Sequence, residues 1–153
     1  MTSYLPAHAQ AFRDQFIQAE SALRKAGFVD PKRKRSMVAW ELFAEKLDAA
    51  FFDKVRDSGK AATLIDEPPR AFFREEGWKD TGQRPLTTIV ELFDRGVCQV
   101  RNNIEHGLKY IDPEANRSEI LIREATWVLA EAVNAVPPVR ELFEANAKKR
   151  SSC

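Results

Sequence analysis

The segment PLTTIVELFDRGVCQVRNNIEHG, residues 85–107, has the most regular apolar pattern in the chain. Its apolar side chains recur every three or four residues, the period of an amphipathic helix; they are Leu86, Ile89, Val90, Phe93, Val97, Val100 and Ile104. Proline suits a first helical turn and glycine suits the residue after a helix. The pattern therefore predicts one helix from Pro85 to Gly107 with a single side facing the core.

Three other long segments have the same period. They predict helices from about Ala7 to Ala26, from an N-cap near Ser36 to Ser58-Gly59, and from about Glu114 to Val136. Two shorter helices are expected at 69–76 and at about 139–147, the second after the break at Pro137-Pro138. Strand signals are nearly absent, since no segment alternates apolar and polar residues over a useful length. The prediction is an all-α, up-and-down bundle of four long helices plus short extra helices, one domain spanning 1–153.

Composition excludes several classes of protein. The chain has 153 residues, of which 44% are hydrophobic and 31% charged, which is typical of a folded globular protein. A formal net charge of +1 argues against a broad polyanion-binding surface. We expect no membrane span and no signal peptide, and two cysteines do not make a disulfide framework. The expectation is a cytoplasmic protein with no membrane partner, no metal site and no cofactor.

The end of the third long helix carries three residues suited to phosphodiester chemistry, Arg101, Asn102 and His106. Arginine holds a phosphate through two parallel hydrogen bonds, and histidine moves a proton near neutral pH. At about 100° per residue, Asn102 lies nearly opposite the core-facing side and His106 lies close to Asn102. We therefore expect Asn102 and His106 on a polar outward face, with Arg101 on its flank.

A purely structural interpretation of the same residues stays open. Arg101 and Glu105 are four residues apart on the helix and are able to form an ordinary surface salt bridge. A histidine in the last turn before a glycine is also a common way for a helix to end.

Arg101, Asn102 and His106 form an Arg-Asn-x-x-x-His motif at the end of the third long helix, and this resembles the HEPN superfamily of nucleotide-binding helical domains. The resemblance covers the whole chain in architecture but only these positions in motif. It implies a metal-independent endoribonuclease of toxin or antiviral-defence type. It also implies a homodimer through the third long helix, in which two motifs face each other and form one composite cleft for RNA.

The resemblance also implies a role for each motif residue. His106 would act as general acid or base, Arg101 would stabilise charge on the phosphate, and Asn102 would orient His106 or the phosphate. An antitoxin or other regulatory partner is possible. In members paired with a nucleotidyltransferase antitoxin, a tyrosine lies two residues after the histidine; that position here is Leu108, and the nearest tyrosine is Tyr110. Regulation by adenylylation is therefore doubtful.

Further residues are candidates for contacting RNA: Lys32, Arg33, Lys34, Arg35, Arg95, Gln99 and Tyr110. The basic run 32–35 is more simply explained as a solvated loop that leads into the second helix. The segment 70–79 alternates bases with aromatics, as in single-stranded RNA binding, or packs as a short capping helix. Cys98 is expected on the outward side of the third helix, where a dimer interface would cover it.

Two rival functions stay open. One is a non-catalytic RNA-binding or scaffold protein with the HEPN fold, which has no need for His106. The other is a helical adaptor unrelated to that family, in which the motif is a coincidence.

Overall fold

The computed structural model describes residues 5–32, 37–73, 77–79, 84–105 and 115–151. Within these ranges most residues are helical, and the helices pack around an apolar core. The elements in chain order are α1 (Ala7–Lys25), α2 (Trp40–Ser58), α3 (Ala62–Asp66), β1 (Ala71–Phe73), β2 (Gly77–Lys79), α4 (Ile89–Glu91), a π-helical turn (Leu92–Val97), α5 (Cys98–Glu105), α6 (Ala115–Ala135) and α7 (Pro137–Ser151). The all-α prediction is confirmed except for one short β-hairpin.

The segments α4, π-helical turn and α5 follow one another without a break, and we call them together the motif helix. It begins at Ile89 and not at Pro85 as predicted, because Thr88 has an extended backbone and acts as the N-cap. The Thr88 hydroxyl accepts the Glu91 N–H at 3.1 Å, while the Glu91 carboxylate accepts the Thr87 N–H at 2.9 Å. The predicted end at Gly107 lies outside the described residues.

The π-helical turn changes which side chains of the motif helix reach the core. The Cys98 N–H bonds to the Phe93 carbonyl, five residues earlier, so this turn holds more residues than an α-turn. Phe93, Val97, Val100 and Ile104 are buried as predicted. Leu92 and Gly96 are buried as well, so the core-facing side is wider than a uniform helical period indicates.

Helix α2 starts at Trp40, four residues after the predicted N-cap at Ser36, which lies outside the described residues. The preceding segment is extended, since Val38 pairs with Val29 in an antiparallel bridge and the Ala39 N–H donates to the Phe28 carbonyl at 3.0 Å. Met37, predicted to lie on the buried side of this helix, is 50% exposed. The hydrogen bonds of this bridge therefore hold residues 37–39 in an extended conformation, although the apolar period predicts that they are helical.

Trp40 anchors the start of α2 in an aromatic cluster. Its ring centroid lies 5.0 Å from that of Phe16 on α1 and 5.7 Å from that of Phe93 on the motif helix. The Phe93 ring stacks on Trp40 with an interplanar angle of 18°. Three helices therefore meet at one point of the core.

A kink divides α2 at Asp48, whose backbone has φ 69° and ψ 178°. This region of φ and ψ is accessible essentially to glycine alone. The Asp48 carboxylate accepts the Ala50 N–H at 2.8 Å and so caps the second half of the helix.

The predicted helix at 69–76 is wrong where the structure describes it, because Ala71–Phe73 is a strand paired antiparallel with Gly77–Lys79. Side chains from other helices donate hydrogen bonds to the backbone carbonyls that precede this hairpin. Arg117 donates to the carbonyls of Glu67 and Pro68, and Asn103 donates to the carbonyl of Arg70 at 2.9 Å. Carbonyls bonded in this way are not available to a helical turn.

The other long helices agree more closely with their apolar periods. Apolar residues at helical spacing in α1 and α6 are buried: Phe12, Phe16, Ala19, Leu23, Leu121, Ala125, Val128, Leu129 and Ala132. Helix α7 is longer than predicted, since it begins at Pro137 and reaches Ser151. Both prolines lie in its first turn, where a missing N–H costs nothing. None of the described helices has the length and apolar composition that crossing a membrane needs.

Candidate functional site

A cavity of about 590 Å³ lies beside the motif helix. Its walls are the motif helix, the extended segment before α2 and the first turn of α2. The motif helix contributes Val90, Phe93, Asp94, Cys98, Arg101 and Asn102, and the other walls contribute Asp30, Pro31, Lys32, Met37, Val38, Ala39, Trp40, Glu41 and Leu42. Its volume is in the range of small-molecule sites. Two of the three predicted catalytic residues therefore line one cavity.

Arg101 is half-buried in the wall of this cavity. The carbon of its guanidinium group lies 5.0 Å from the centroid of the Phe16 ring, which is a cation–π contact. Its Nε is buried and has no hydrogen-bond partner among the described residues. Gln15 Oε1 and Arg70 Nε share that property, but neither residue lines the cavity. An unpaired buried donor is costly, which distinguishes Arg101 from the other residues that line the cavity.

Arg101 does not form the salt bridge with Glu105 that a purely structural role predicts. Glu105 pairs with Arg13 on α1 at 2.8 Å, and both of these side chains are largely exposed. Burial raises the pKa of Glu20, and the charges of Arg101 and Arg24 oppose that rise. Arg101 therefore lies in the field of a half-buried carboxylate.

Asn102 and Asn103 have different surroundings. Asn102 is exposed and lines the cavity, as the prediction of an outward face requires. Asn103 is fully buried; its Oδ1 accepts from Gln99 Nε2 at 2.9 Å, and its Nδ2 donates to the Arg70 carbonyl. The sequence analysis gave Asn103 no role. The structure makes it the link between the motif helix and the hairpin.

The remaining candidate residues are distributed differently. Lys32 lines the cavity, whereas His106, Tyr110, Arg33, Lys34 and Arg35 lie outside the described residues. Arg95 is paired with Glu91 at 3.4 Å, and Gln99 is bonded to Asn103. Neither Arg95 nor Gln99 lines the cavity. Their contact with RNA stays a prediction.

Cys98 lies half-buried in the cavity wall, between Asp94 and Arg101. Burial raises the pKa of its thiol to about 12; the charge of Arg101 acts against that rise and the charge of Asp94 adds to it. The thiol is therefore uncharged near neutral pH and unsuited to act as a nucleophile.

The sequence analysis missed three carboxylates that line the cavity, Asp30, Glu41 and Asp94. Asp94 was recognisable, since it lies four residues before Cys98 and seven before Arg101, on one side of a helix. Asp30 lies in the stretch 28–32, which has no helical period, and Glu41 lies in the first turn of α2. Among the described residues, no three histidine, cysteine or acidic side chains come together as metal ligands.

Comparisons with protein-family models, with curated proteins and with solved structures found no match to this chain.

Proposed function

We propose that this protein is a metal-independent endoribonuclease of the HEPN type. It cleaves RNA at a composite site that two copies of the chain form by pairing their motif helices in a homodimer. Arg101, Asn102 and His106 carry the reaction. The proposal includes a HEPN-like helical bundle and a biological role as a toxin or antiviral effector, both of which rest on the resemblance of the motif to the HEPN superfamily.

The surroundings of Arg101 support this proposal more than any other observation. The guanidinium group packs on Phe16 in a cavity wall and keeps a buried Nε without a partner among the described residues. Glu105, its expected partner, pairs with Arg13. An arginine held in place with a donor to spare is suited to bind a phosphate through its fork of N–H groups.

The proposed reaction needs no group beyond the chain and the RNA. The ribose 2′-oxygen attacks the adjacent phosphorus, and His106 accepts the proton of the 2′-hydroxyl. The bond from phosphorus to the 5′-oxygen breaks, and that oxygen takes a proton from the imidazolium of His106 or of its copy in the dimer. Arg101 stabilises the negative charge on the pentavalent phosphate. The products are a 2′,3′-cyclic phosphate and a 5′-hydroxyl.

The exposure of Asn102 is consistent with a site that a second copy completes. A two-fold axis beside Asn102 would bring two motifs together, since each copy presents the same face to the other. In this arrangement the cavity of each copy opens next to the shared phosphate-binding cleft.

One observation favours a second candidate, a non-catalytic RNA-binding or scaffold protein of the same fold. Asp30, Glu41 and Asp94 line the cavity together with Lys32 and Arg101, and three carboxylates weaken the attraction for a polyanion. A scaffold requires no positive cleft.

Incubation with single-stranded RNA in excess chelator tests the proposal. Wild-type protein is expected to cleave, and Arg101→Gln and His106→Ala are each expected to lose activity by about 100-fold or more. Glutamine is chosen at position 101 because it retains part of the packing of the side chain while removing the charge.

Arg123→Gln is the matched control, because Arg123 is an exposed arginine on α6 that pairs with Glu119 at 2.7 Å. It should cleave like wild type, and circular dichroism should show native helix in all variants. Equal cleavage by wild type, Arg101→Gln and His106→Ala would reject the proposal. RNA binding without cleavage by wild type would favour the second candidate.

A further inference from the structure

One side of the motif helix supplies a complete wall of the cavity. Val90, Asp94, Cys98 and Asn102 follow one another at intervals of four residues, and Arg101 lies beside Asn102. Asp94 and Arg101 are seven residues apart, which is roughly 10 Å along a helix. The wall thus has an acidic end and a basic end separated by about two helical turns.

The middle of that wall carries no charge. The Cys98 thiol lies between the two ends, and burial keeps it protonated because its pKa is raised to about 12. Val90 and Phe93 contribute only apolar surface. The wall therefore presents a carboxylate, an uncharged middle and a guanidinium group in that order.

The facing wall carries partly exposed apolar side chains beside the charged Asp30, Lys32 and Glu41. Met37 is 50% exposed and Leu42 is 43% exposed, and both line the cavity together with Val38 and Trp40. Large apolar side chains at the mouth of a cavity favour a ligand with a flat, apolar body. A nucleobase has such a body, and its ribose carries the phosphate to one side.

We propose that this cavity binds a guanine nucleotide of the RNA, with the phosphate at Arg101 and Asn102 and the base edge at Asp94. The nucleotide spans the two charged ends of the wall, and its base lies between Cys98 and the apolar side chains of the facing wall. The inference rests on the proposed function for the RNA, but the binding of a free nucleotide requires neither cleavage nor a dimer.

The choice of guanine follows from hydrogen-bond chemistry. An ionised carboxylate only accepts hydrogen bonds. Guanine presents two adjacent N–H donors, N1–H and the 2-amino group, which match the two oxygens of a carboxylate. Adenine, cytosine and uracil each place an acceptor next to their donor on the same edge, and a carboxylate oxygen repels that acceptor.

Asp94 is the carboxylate best placed for this contact. It is exposed and lies on the same side of the motif helix as Arg101. Asp30 already accepts the Lys32 backbone N–H at 2.9 Å, and Glu41 belongs to the facing wall.

Isothermal titration calorimetry in chelator with guanosine, adenosine, cytidine and uridine 3′-monophosphates tests the inference. The guanosine nucleotide is expected to bind roughly tenfold tighter than the other three, because a bidentate contact to a base edge discriminates by about that factor or more. Asp94→Asn should abolish this preference, since an amide offers a donor in place of one acceptor. Asp53→Asn should retain the guanine preference, because Asp53 is an exposed residue of α2 that does not line the cavity.

Equal affinity for all four nucleotides, or a guanine preference unchanged in Asp94→Asn, would overturn the inference. Absence of binding by every nucleotide would overturn it as well. A guanine preference in a protein that does not cleave RNA would support the nucleotide site and reject the ribonuclease. Cleavage of RNA by a protein that shows no base preference in this titration would support the ribonuclease and reject the guanine site.

Discussion

The surroundings of Arg101 bear directly on the proposed binding of a phosphate. Its guanidinium group packs on Phe16, so the side chain loses less conformational freedom when an anion binds than a free surface arginine would. The nearby carboxyl group of Glu20 interacts electrostatically with the charge of Arg101. Burial is the main cause of the raised pKa of Glu20.

Asp48 is the other residue with unusual local structure. Its backbone lies at φ 69° and ψ 178°, and it is the only residue other than glycine with a positive φ among the described ones. Strain of this kind costs about 1–3 kcal/mol. The hydrogen bond from the Ala50 N–H to its carboxylate offsets part of that cost.

Asp48→Gly is expected to stabilise the protein by about 1 kcal/mol, because glycine relieves the strain and loses only a few tenths as a cap. Asp48→Ala is expected to destabilise it by about 1 kcal/mol, because alanine keeps the strain and removes the cap. Urea unfolding followed by circular dichroism measures both.

The control is Asp53→Gly in the second half of the same helix, where glycine should cost about 1 kcal/mol. Loss of stability in both Asp48→Gly and Asp53→Gly would show that position 48 is not strained.

The motif helix shows how far an apolar period predicts structure and where it fails. The period identifies the helix, its core residues and the outward position of Asn102, because these depend on spacing alone. It does not predict the π-helical turn or the buried role of Asn103. Both depend on contacts from elsewhere in the chain: Gly96 packs against Leu86 and Leu64, and Asn103 reaches the Arg70 carbonyl.

The apolar period also fails to predict the hairpin and the segment before α2, because their structure depends on contacts with other parts of the chain. Arg117 bonds to the Pro68 carbonyl at 2.8 Å in the chain before the hairpin, and the bridge between Val29 and Val38 holds the segment before α2. The facing wall of the cavity is built partly from such a segment, which carries Met37, and partly from the first turn of α2, which carries Leu42. The helix that carries Arg101 and Asn102 is thus predictable, whereas the cavity beside it is not.

The start of the motif helix predicts a pH dependence of stability. Bonds from the Thr87 backbone N–H, the Thr87 hydroxyl and Arg84 lower the pKa of Glu91 to about 2 from an ordinary value of 4.5. The stabilisation is therefore complete above about pH 4.5 and is lost as the pH falls toward 2. Glu91→Gln should be less stable than wild type at pH 6, and the difference should shrink on acidification.

Urea midpoints of wild type and Glu91→Gln between pH 6 and pH 2.5 measure this effect. Glu119→Gln, which removes one partner of an exposed ion pair on α6, is the control for the loss of one carboxylate. A difference between wild type and Glu91→Gln that stays constant across this range would contradict the assignment.

The charge of the whole molecule bears on how it would meet RNA. A net charge of +1 gives little long-range attraction, so binding must depend on local groups such as Arg101 and Lys32. Two copies joined at a two-fold axis would double the positive groups around one phosphate. Dimerisation is therefore part of the proposed function and not an addition to it.

Dilution of the protein tests whether the ribonuclease activity depends on the dimer. Light scattering should give twice the mass of the 17.4 kDa chain at micromolar concentration. Ribonuclease activity per chain should fall in parallel with the dimer fraction as the protein is diluted. Activity per chain that stays constant while the mass falls to that of the monomer would show that one copy is sufficient.

The chemical nature of the RNA ends produced in excess chelator tests the ribonuclease proposal most directly. Attack by the 2′-hydroxyl predicts a 2′,3′-cyclic phosphate on one fragment and a 5′-hydroxyl on the other, and no cleavage where 2′-deoxyribose replaces the ribose at the cut position. Mass spectrometry of the fragments from wild type, with Arg101→Gln and His106→Ala alongside, measures this. Fragments with 5′-phosphate ends, cleavage of the deoxy-substituted strand, or equal cleavage by all three proteins would contradict it.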